Sequence, residues 1–360
     1  MRSGRTLPLV NSKLARFFSY QTAKIHTMSS PKTAIIIGAG IGGLATAALL
    51  AKDGYQVTVL EKNEQLGGRA CVLKKKGFTF DMGPSWYLMP EVFDRFFAQF
   101  GKKTSEYITL TRLKPQHRIF YPDKTTVEIT GDLKKDIALF ESIEPGAGKK
   151  LQEYLAASKE KYETAMDHFL YRNMDTIFDF IKPEFVKRGR ELRVFETMQH
   201  YVERFFKSEK LQQIIQYTLV FLGGAPTNTP ALYSLMSHID FNLGVWYPVG
   251  GMYKVVEALA KLGTELGVTY QLNSPVDELV ITPDATGKGR VTGVRVGKKI
   301  YTADIVISNA DYQHTERIMS DQKYAQYGEK YWNKRTLAPS AFLMYLGVKG
   351  KLPQLTHHNL

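Results

Sequence analysis

The 360-residue sequence holds a single cysteine, Cys71, so it can form no internal disulfide and no cysteine-based metal site. Reducing surroundings are permitted but not demanded. Outside one glycine-bearing stretch near residue 40 there is no apolar run of eighteen residues, and mean hydropathy is negative; together these exclude a multi-span transporter. Zinc-ligand spacings, a helix-turn-helix signal and basic-aromatic nucleic-acid motifs are also missing, so neither a metal nor a nucleic acid is an expected partner. Residues 1–30 contain no acid, yet they carry Arg2, Arg5, Lys13, Arg16 and Lys24, with Leu7, Val10, Leu14 and Phe17 at helical spacing. That composition fits a mitochondrial or plastid transit segment, and it fits equally a leader ahead of a start at Met28. Setting those five bases aside lowers the net charge from +13 to +8, still basic enough to suit an anionic membrane surface as well as a plain solvated face.

At this length a chain exceeds one simple core, so two domains are expected, and a 44% hydrophobic, 12% aromatic composition supplies large buried surfaces. The rest is organised around TAIIIGAGIGGLATAALLAKDGYQVTVLEKNEQLGGRA, residues 33–70. Ile35, Ile36 and Ile37 read as a strand buried on both faces, followed at once by Gly38-Ala39-Gly40-Ile41-Gly42-Gly43. In this G-x-G-x-x-G the first glycine permits a tight turn, the second lets the backbone approach a pyrophosphate, and the third lets helix and strand pack closely. Leu44, Ala47, Ala48, Leu49 and Leu50 continue the helix, and Gly54 stops it. A strand from Tyr55 to Leu60 then ends in Glu61, 18 residues after Gly43, where an acid grips a ribose 2′-hydroxyl and repels a 2′-phosphate. FAD or NAD is therefore expected, not NADP. Residues 34–51 have only Thr46 as a polar side chain and could be taken for a signal anchor, but four glycines weaken a membrane helix.

Beyond Glu61 and Lys62, paired glycines at Gly67 and Gly68 with Arg69 suit a second approach to phosphate or ribose, and GFTFDMGPSW, residues 77–86, follows. Taken together, residues 38–69 resemble the flavin motif shared by amine oxidases, protoporphyrinogen oxidase and carotenoid desaturases. The stretch FLGGAPTNTPALYSLMSHIDFNLGVWYPVGGMYKVVEAL, residues 221–259, is more similar to the phytoene desaturase group. This resemblance implies an α/β fold: a Rossmann-like FAD-binding domain of the amine oxidase and carotenoid desaturase type, with an inserted helix-rich substrate domain. It divides the chain into FAD-domain pieces at 33–105 and 245–315 and substrate-domain pieces at 106–244 and 316–360. It also implies FAD contacts from Gly38 to Gly43, Glu61, Lys62, Gly68, Arg69, Gly83, Pro84 and Ser85, and from the backbone of Val276 to adenine. Cys71 beside the glycine pair could invite covalent flavin attachment, although a lone cysteine is more often inert.

Strands are expected at 268–272 and 276–281, and a helix opens at Tyr247–Met252 with Val255, Val256, Leu259, Leu262 and Leu266 on one face. A hairpin turns at Gly297-Lys298 and returns through Ile305–Ile307, and AFLMYLGV, residues 341–348, reads as a last strand. The resemblance also implies that Ala303–Ala310 is the group's return strand toward the flavin domain. The aromatic-rich, mainly helical stretch 132–222 suits a long apolar ligand as well as ordinary core. The activity implied by the resemblance is FAD-dependent desaturation of a carotenoid precursor such as phytoene, at a bilayer, with quinone or oxygen as electron acceptor. A carotenoid isomerase or retinoid saturase, an amine oxidase, and a flavin-free prenyl-binding protein are the alternatives. No catalytic base is identified: His117, His168, His200, Glu203 and His238 are candidates by residue type alone. Because members of the group continue well past the position matching Leu360, the reading also expects these residues to be part of a longer product, needing that continuation both to hold flavin well and to desaturate.

Overall fold

The computed structural model describes residues 31–171, 176, 192–283 and 286–360. The leader at 1–30 and the aromatics Phe178, Phe180 and Phe185 lie outside these. Strand β1 (Thr33–Ile37), helix α1 (Ile41–Lys52) and β2 (Gln56–Leu60) form the expected βαβ unit. Ile35, Ile36 and Ile37 are all buried, as a strand covered on both faces requires. From α1, Gly43, Leu44, Ala47 and Ala48 face inward, small residues that let the helix lie low on the sheet. The helix Tyr253–Glu265 packs beside α1 and contributes Val255, Val256, Leu259 and Leu262 to the same core. Each of those larger side chains contributes roughly 1.5–3 kcal/mol by leaving water.

After β2 come a hairpin, β3 (Cys71–Lys75) with β4 (Phe78–Met82), then α2 (Pro90–Ala98) and β5 (Leu110–Arg112). A second hairpin, β6 (His117–Phe120) with β7 (Thr126–Ile129), turns at Pro122-Asp123. Helices α3 (Leu133–Ile143) and α4 (Ala147–Ala165) then build a separate core with Phe140, Tyr154, Tyr201, Phe206 and Phe241. Most of the described aromatics of this stretch are thus core, while Tyr171, Phe195 and Phe221 are exposed.

Late in the chain, β8 (Trp246–Pro248) pairs with β5, and β9 (Thr269–Gln271) adds to β2. β10 (Glu278–Pro283), β11 (Gly289–Val296) and β12 (Lys299–Thr302) form an antiparallel sheet, and β13 (Ile305–Ser308) returns to β1. The central sheet runs β13-β1-β2-β9, all parallel, so its strands come from both ends of the described chain.

Four details differ from the sequence reading. The hairpin returns through Lys299–Thr302, not Ile305–Ile307, because Asp304 accepts hydrogen bonds from Thr33 N (2.7 Å) and Thr33 Oγ1 (2.9 Å) and so draws the next residues alongside β1, as the return strand toward the flavin domain that the resemblance implied. Tyr247 and Pro248 belong to β8, with Gly250 and Gly251 at positive φ before the helix begins at Tyr253. Val276 precedes its strand, since Ser274 N is tied to the Glu61 carbonyl (2.8 Å) and Pro275 has no N–H for a ladder. Residues 341–348 have no strand partner among the described residues and form no strand, with Phe342, Leu343, Met344 and Leu346 exposed. They lie along other elements instead: the Tyr345 ring is 5.6 Å from that of Phe80, and Gly347 abuts the Phe78 ring.

Candidate functional site: a glycine-walled dinucleotide cradle

Gly38 sits at φ +91°, and a Cβ on Gly43 would stand 2.2 Å from the Gly38 carbonyl oxygen, so turn and helix touch backbone to backbone. Gly40 caps α1 in an extended conformation without a side-chain cap. Among the described residues no acceptor serves the N–H groups of Ile41, Gly42 and Gly43, which leaves the helix N-terminus with free donors and partial positive charge. Ala39 is buried, and Ile41 opens the helix half-buried.

Glu61 is buried at the end of β2. Its Oε2 accepts from Ala39 N at 2.8 Å, and its Oε1 accepts from Asn63 N at 3.0 Å and Asn63 Nδ2 at 2.8 Å. The carboxylate thus pins the middle of the glycine turn, and Oε2 keeps acceptor capacity for a ribose hydroxyl. Lys62, next along, is exposed. The turn 273–276 lies against this end, tied to the Glu61 and Asn63 carbonyls, and the Val276 side chain joins a core with Ile35, Ile37 and Leu60.

The two glycine motifs, 24 or more residues apart, meet directly: Gly67 N donates to the Ala39 carbonyl at 2.8 Å, and a Cβ on Gly68 would stand 3.3 Å from the Gly40 Cα. Gly67 and Gly68 are both at positive φ. Gly83, at φ +120°, would put a Cβ 2.3 Å from the Arg69 carbonyl oxygen. A continuous backbone strip therefore runs from Gly40 through Gly68 and Arg69 to Gly83, with Arg69, Pro84 and Ser85 exposed along it. Beyond it Trp86 packs against His117, Tyr217, Phe221 and His358, with ring centroids 5.3–5.8 Å away.

Asp81 was missed by sequence reading. Its Oδ2 accepts from Tyr247 Oη (2.6 Å) and Met252 N (2.8 Å), and its Oδ1 accepts from Tyr253 N (3.2 Å). It caps a helix 171 residues away that has no side-chain cap of its own, so the only available signal was a glycine-led helix start lacking a local Ser, Thr or Asp. A cavity of about 450 Å³ beside it is lined by Lys74, Asp81, Tyr253, Lys254 and Glu257, too polar for a hydrocarbon.

The histidine candidates do not converge. His200 and Glu203 are exposed, with Glu203 held by Gln199 and His200 near Glu196. His238 is buried with Nδ1 2.7 Å from Asn242 Nδ2, and burial lowers its pKa. His168 is half-buried on the turn following α4. Of these only His117 stands near the end of the strip, fully buried with no partner among the described residues on either ring nitrogen; burial first, then His358 and His357, lower its pKa to about 3, which keeps it neutral. Cys71 lies in β3 with Sγ 4.0 Å from Met82 Sδ.

Fold and site define a dinucleotide-binding protein of the flavoprotein type, with the parallel sheet's carboxyl end carrying the cradle. Residues 41–336 match the model of the flavin containing amine oxidoreductases, and the chain belongs to that family. Its relatives include the carotenoid 3,4-desaturase of Haloarcula japonica, 49% identical over 90% of this chain and 65% of that protein. The zeta-carotene-forming phytoene desaturase of Myxococcus xanthus is 35% identical over 91% of this chain and 62% of that protein. The chain thus spans less than two thirds of either relative's length. An oxidoreductase from Methanosarcina mazei shares the fold with TM-score 0.55 and 19% identity, over 80% of this chain and 61% of that one. A putrescine oxidase variant shares it with TM-score 0.52 and 17% identity, over 80% and 59%. The cofactor that family and cradle together imply is FAD. The free N–H groups, the glycine strip that side chains would obstruct and the buried Glu61 all fit its diphosphate and ribose.

Glu61→Ala is expected to remove the acceptor of the Ala39 N–H and cost about 1–3 kcal/mol. The variant should purify with less flavin and melt lower, whereas Glu61→Gln, which keeps one acceptor oxygen and turns the other into a donor facing an N–H, should fall between it and the parent. Absorbance at 450 relative to 280 nm reads the first effect; an Ala variant that is as yellow and as stable as the parent removes Glu61 from this role.

Proposed function

We propose that the chain carries the cofactor and substrate framework of an FAD-dependent carotenoid desaturase acting on a phytoene-like polyene. The observation that carries this reading is the unbroken strip from Gly40 to Gly83, ending at an aromatic cluster around Trp86, in a chain whose relatives are carotenoid desaturases. When bound, FAD supplies the acceptor for the hydride that leaves the substrate C–H. The chain's own residues bind and orient. The cradle and Glu61 hold the nucleotide half, Asp81 locks the Gly83 loop's strand to the helix Tyr253–Glu265, and Trp86 and Phe221 offer a polyene flat apolar contact. A hydrocarbon has no polar handle, so such surfaces are the means of orientation. Purified protein with FAD, supplied with phytoene in liposomes and a quinone or oxygen, should give products absorbing at longer wavelength as conjugation grows. Flavin-loaded protein, extended by the continuation that the resemblance implies, that returns phytoene unchanged would overturn the reading.

Peripheral membrane association belongs to the same proposal, at an organellar membrane or the cytoplasmic face. Among the described residues no helix is long and apolar enough to cross a membrane. Val220, Phe221 and Leu222 are exposed, as are Phe342, Leu343, Met344 and Leu346, and the whole chain is basic. Liposomes with anionic lipid should sediment more protein than neutral ones, with salt reducing the difference. Equal sedimentation from both would count against an electrostatic contribution.

A further inference from the structure

We infer that Asn309 belongs to the nucleotide cradle, its carboxamide NH2 donating to the FAD diphosphate; this rests on the flavin reading above and deepens it. β13 pairs with β1 up to Ile37 and Ser308, and Asn309 N then donates to the Ile37 carbonyl at 2.8 Å. Asn309 is therefore the first residue past the carboxyl ends of two neighbouring parallel strands, where open α/β sheets bind their ligands. Its side chain lies on the glycine turn itself. A Cβ on Gly42 would stand 2.8 Å from Asn309 Oδ1, and Cβ atoms on Gly43 and Gly40 would stand 3.0 and 3.1 Å from Asn309 Nδ2. The NH2 end is thus beside Gly40, the glycine whose bare Cα admits the pyrophosphate, and beside the free N–H groups of the first helical turn.

Asn309 is exposed, and among the described residues its carboxamide makes no hydrogen bond, so the NH2 is available to a ligand. Its place is fixed from both sides. The register of β13 sets the residue before it, and Asp311 Oδ1, accepting from His314 N at 3.1 Å, sets the turn after it. The turn from Gly38 to Gly43 contains no lysine or arginine, so a side-chain amide donor adds to the backbone donors there without a charge.

The test is FAD affinity of the apoprotein, read by quenching of flavin fluorescence, with ADP as a competitor that carries the diphosphate without the flavin. Asn309→Ala should weaken both ligands about tenfold, the loss of one hydrogen bond to a charged acceptor. Asn309→Asp should weaken them about a hundredfold, because it turns a donor into an anion facing an anion, and added salt should narrow its gap to the parent. Apoprotein melting temperatures should stay within about a degree of the parent's, since an exposed amide without hydrogen bonds contributes little to stability. If both variants bind FAD and ADP as the parent does, or if both melt lower while affinity falls equally in each, Asn309 is a packing residue and the inference fails. A parent chain that binds no flavin at all would instead refute the flavin reading itself.

Discussion

Gly43→Ala is expected to yield protein that purifies without flavin and melts well below the parent. The added Cβ would lie 2.2 Å from the Gly38 carbonyl oxygen and 3.3 Å from its carbon. Neither is the movable end of a side chain, so α1 must lift from β1. Lifting uncovers Leu44, Ala47 and Ala48, all fully buried, and pulls the free N–H groups from the position in which Glu61 and Gly67 hold the turn. Overpacking of this kind costs about 1–3 kcal/mol, and more when backbone is the obstacle. Gly42→Ala is the control for melting alone: its Cβ would meet only the Asn309 side chain, at 2.8 Å, which can swing aside without lifting the helix, although flavin affinity should fall as Asn309 leaves the cradle. Gly40→Val should also lose flavin, by filling the cradle, but with less effect on melting. Equal melting temperatures for the Gly43 and Gly42 variants would show that the helix does not depend on this contact.

Asp240→Asn is expected to stabilise the protein at pH 8 and to make no difference at pH 4. Asp240 is buried; its Oδ2 accepts from Tyr217 Oη at 2.8 Å, and its Oδ1 has no partner among the described residues. Burial, against the opposing Tyr217 hydrogen bond and with Asp136 nearby, pushes its pKa from 3.8 to about 7. A folded-state value above the unfolded one means that this group's contribution is intact below pH 3.8 and is lost as pH rises through 7. The rise corresponds to roughly 4 kcal/mol at most, which Asn, unable to ionise, would recover at alkaline pH. His117 has the opposite sign: its value falls from 6.5 to about 3, so its contribution is intact above 6.5 and is lost as pH falls through 3. His117→Phe should therefore gain over the parent at pH 4 and not at pH 8. Urea midpoints of the three proteins across this range check both limbs. An advantage of Asp240→Asn that does not vary with pH would mean that Asp240 is not titrating.

Everything legible in the sequence was local. Turn glycines, a β-branched run, small residues at helical spacing and an acid at the end of the next strand each act within a few residues of themselves, and residues 33–62 folded as they read. A role for Gly68 and Gly40 at one cofactor was implied by the flavin-motif resemblance, but their direct approach to one another was not. Where the reading slipped, a distant partner decided. The hairpin closes through Lys299–Thr302 because Asp304 ties Ile305–Ser308 to β1 across 271 residues, a return strand that only the resemblance implied, and residues 341–348 lack a partner among the described residues and form no strand, although their pattern is strand-like. Chemistry-bearing side chains were least legible of all. Asp81 is an ordinary acid until the fold sets it over a helix start 171 residues on, Asn309 is one amide among many until β13 delivers it to the glycine turn, and His117 is unlike the other histidines only through its burial beside Trp86.

By itself, then, the sequence determined the βαβ unit and pointed to FAD as its ligand, because backbone conformation and the spacing of one acid are written in consecutive residues. Only the tertiary structure decided which side chains surround that unit, because a side chain's neighbours and its pKa depend on strands and helices brought together from far along the chain.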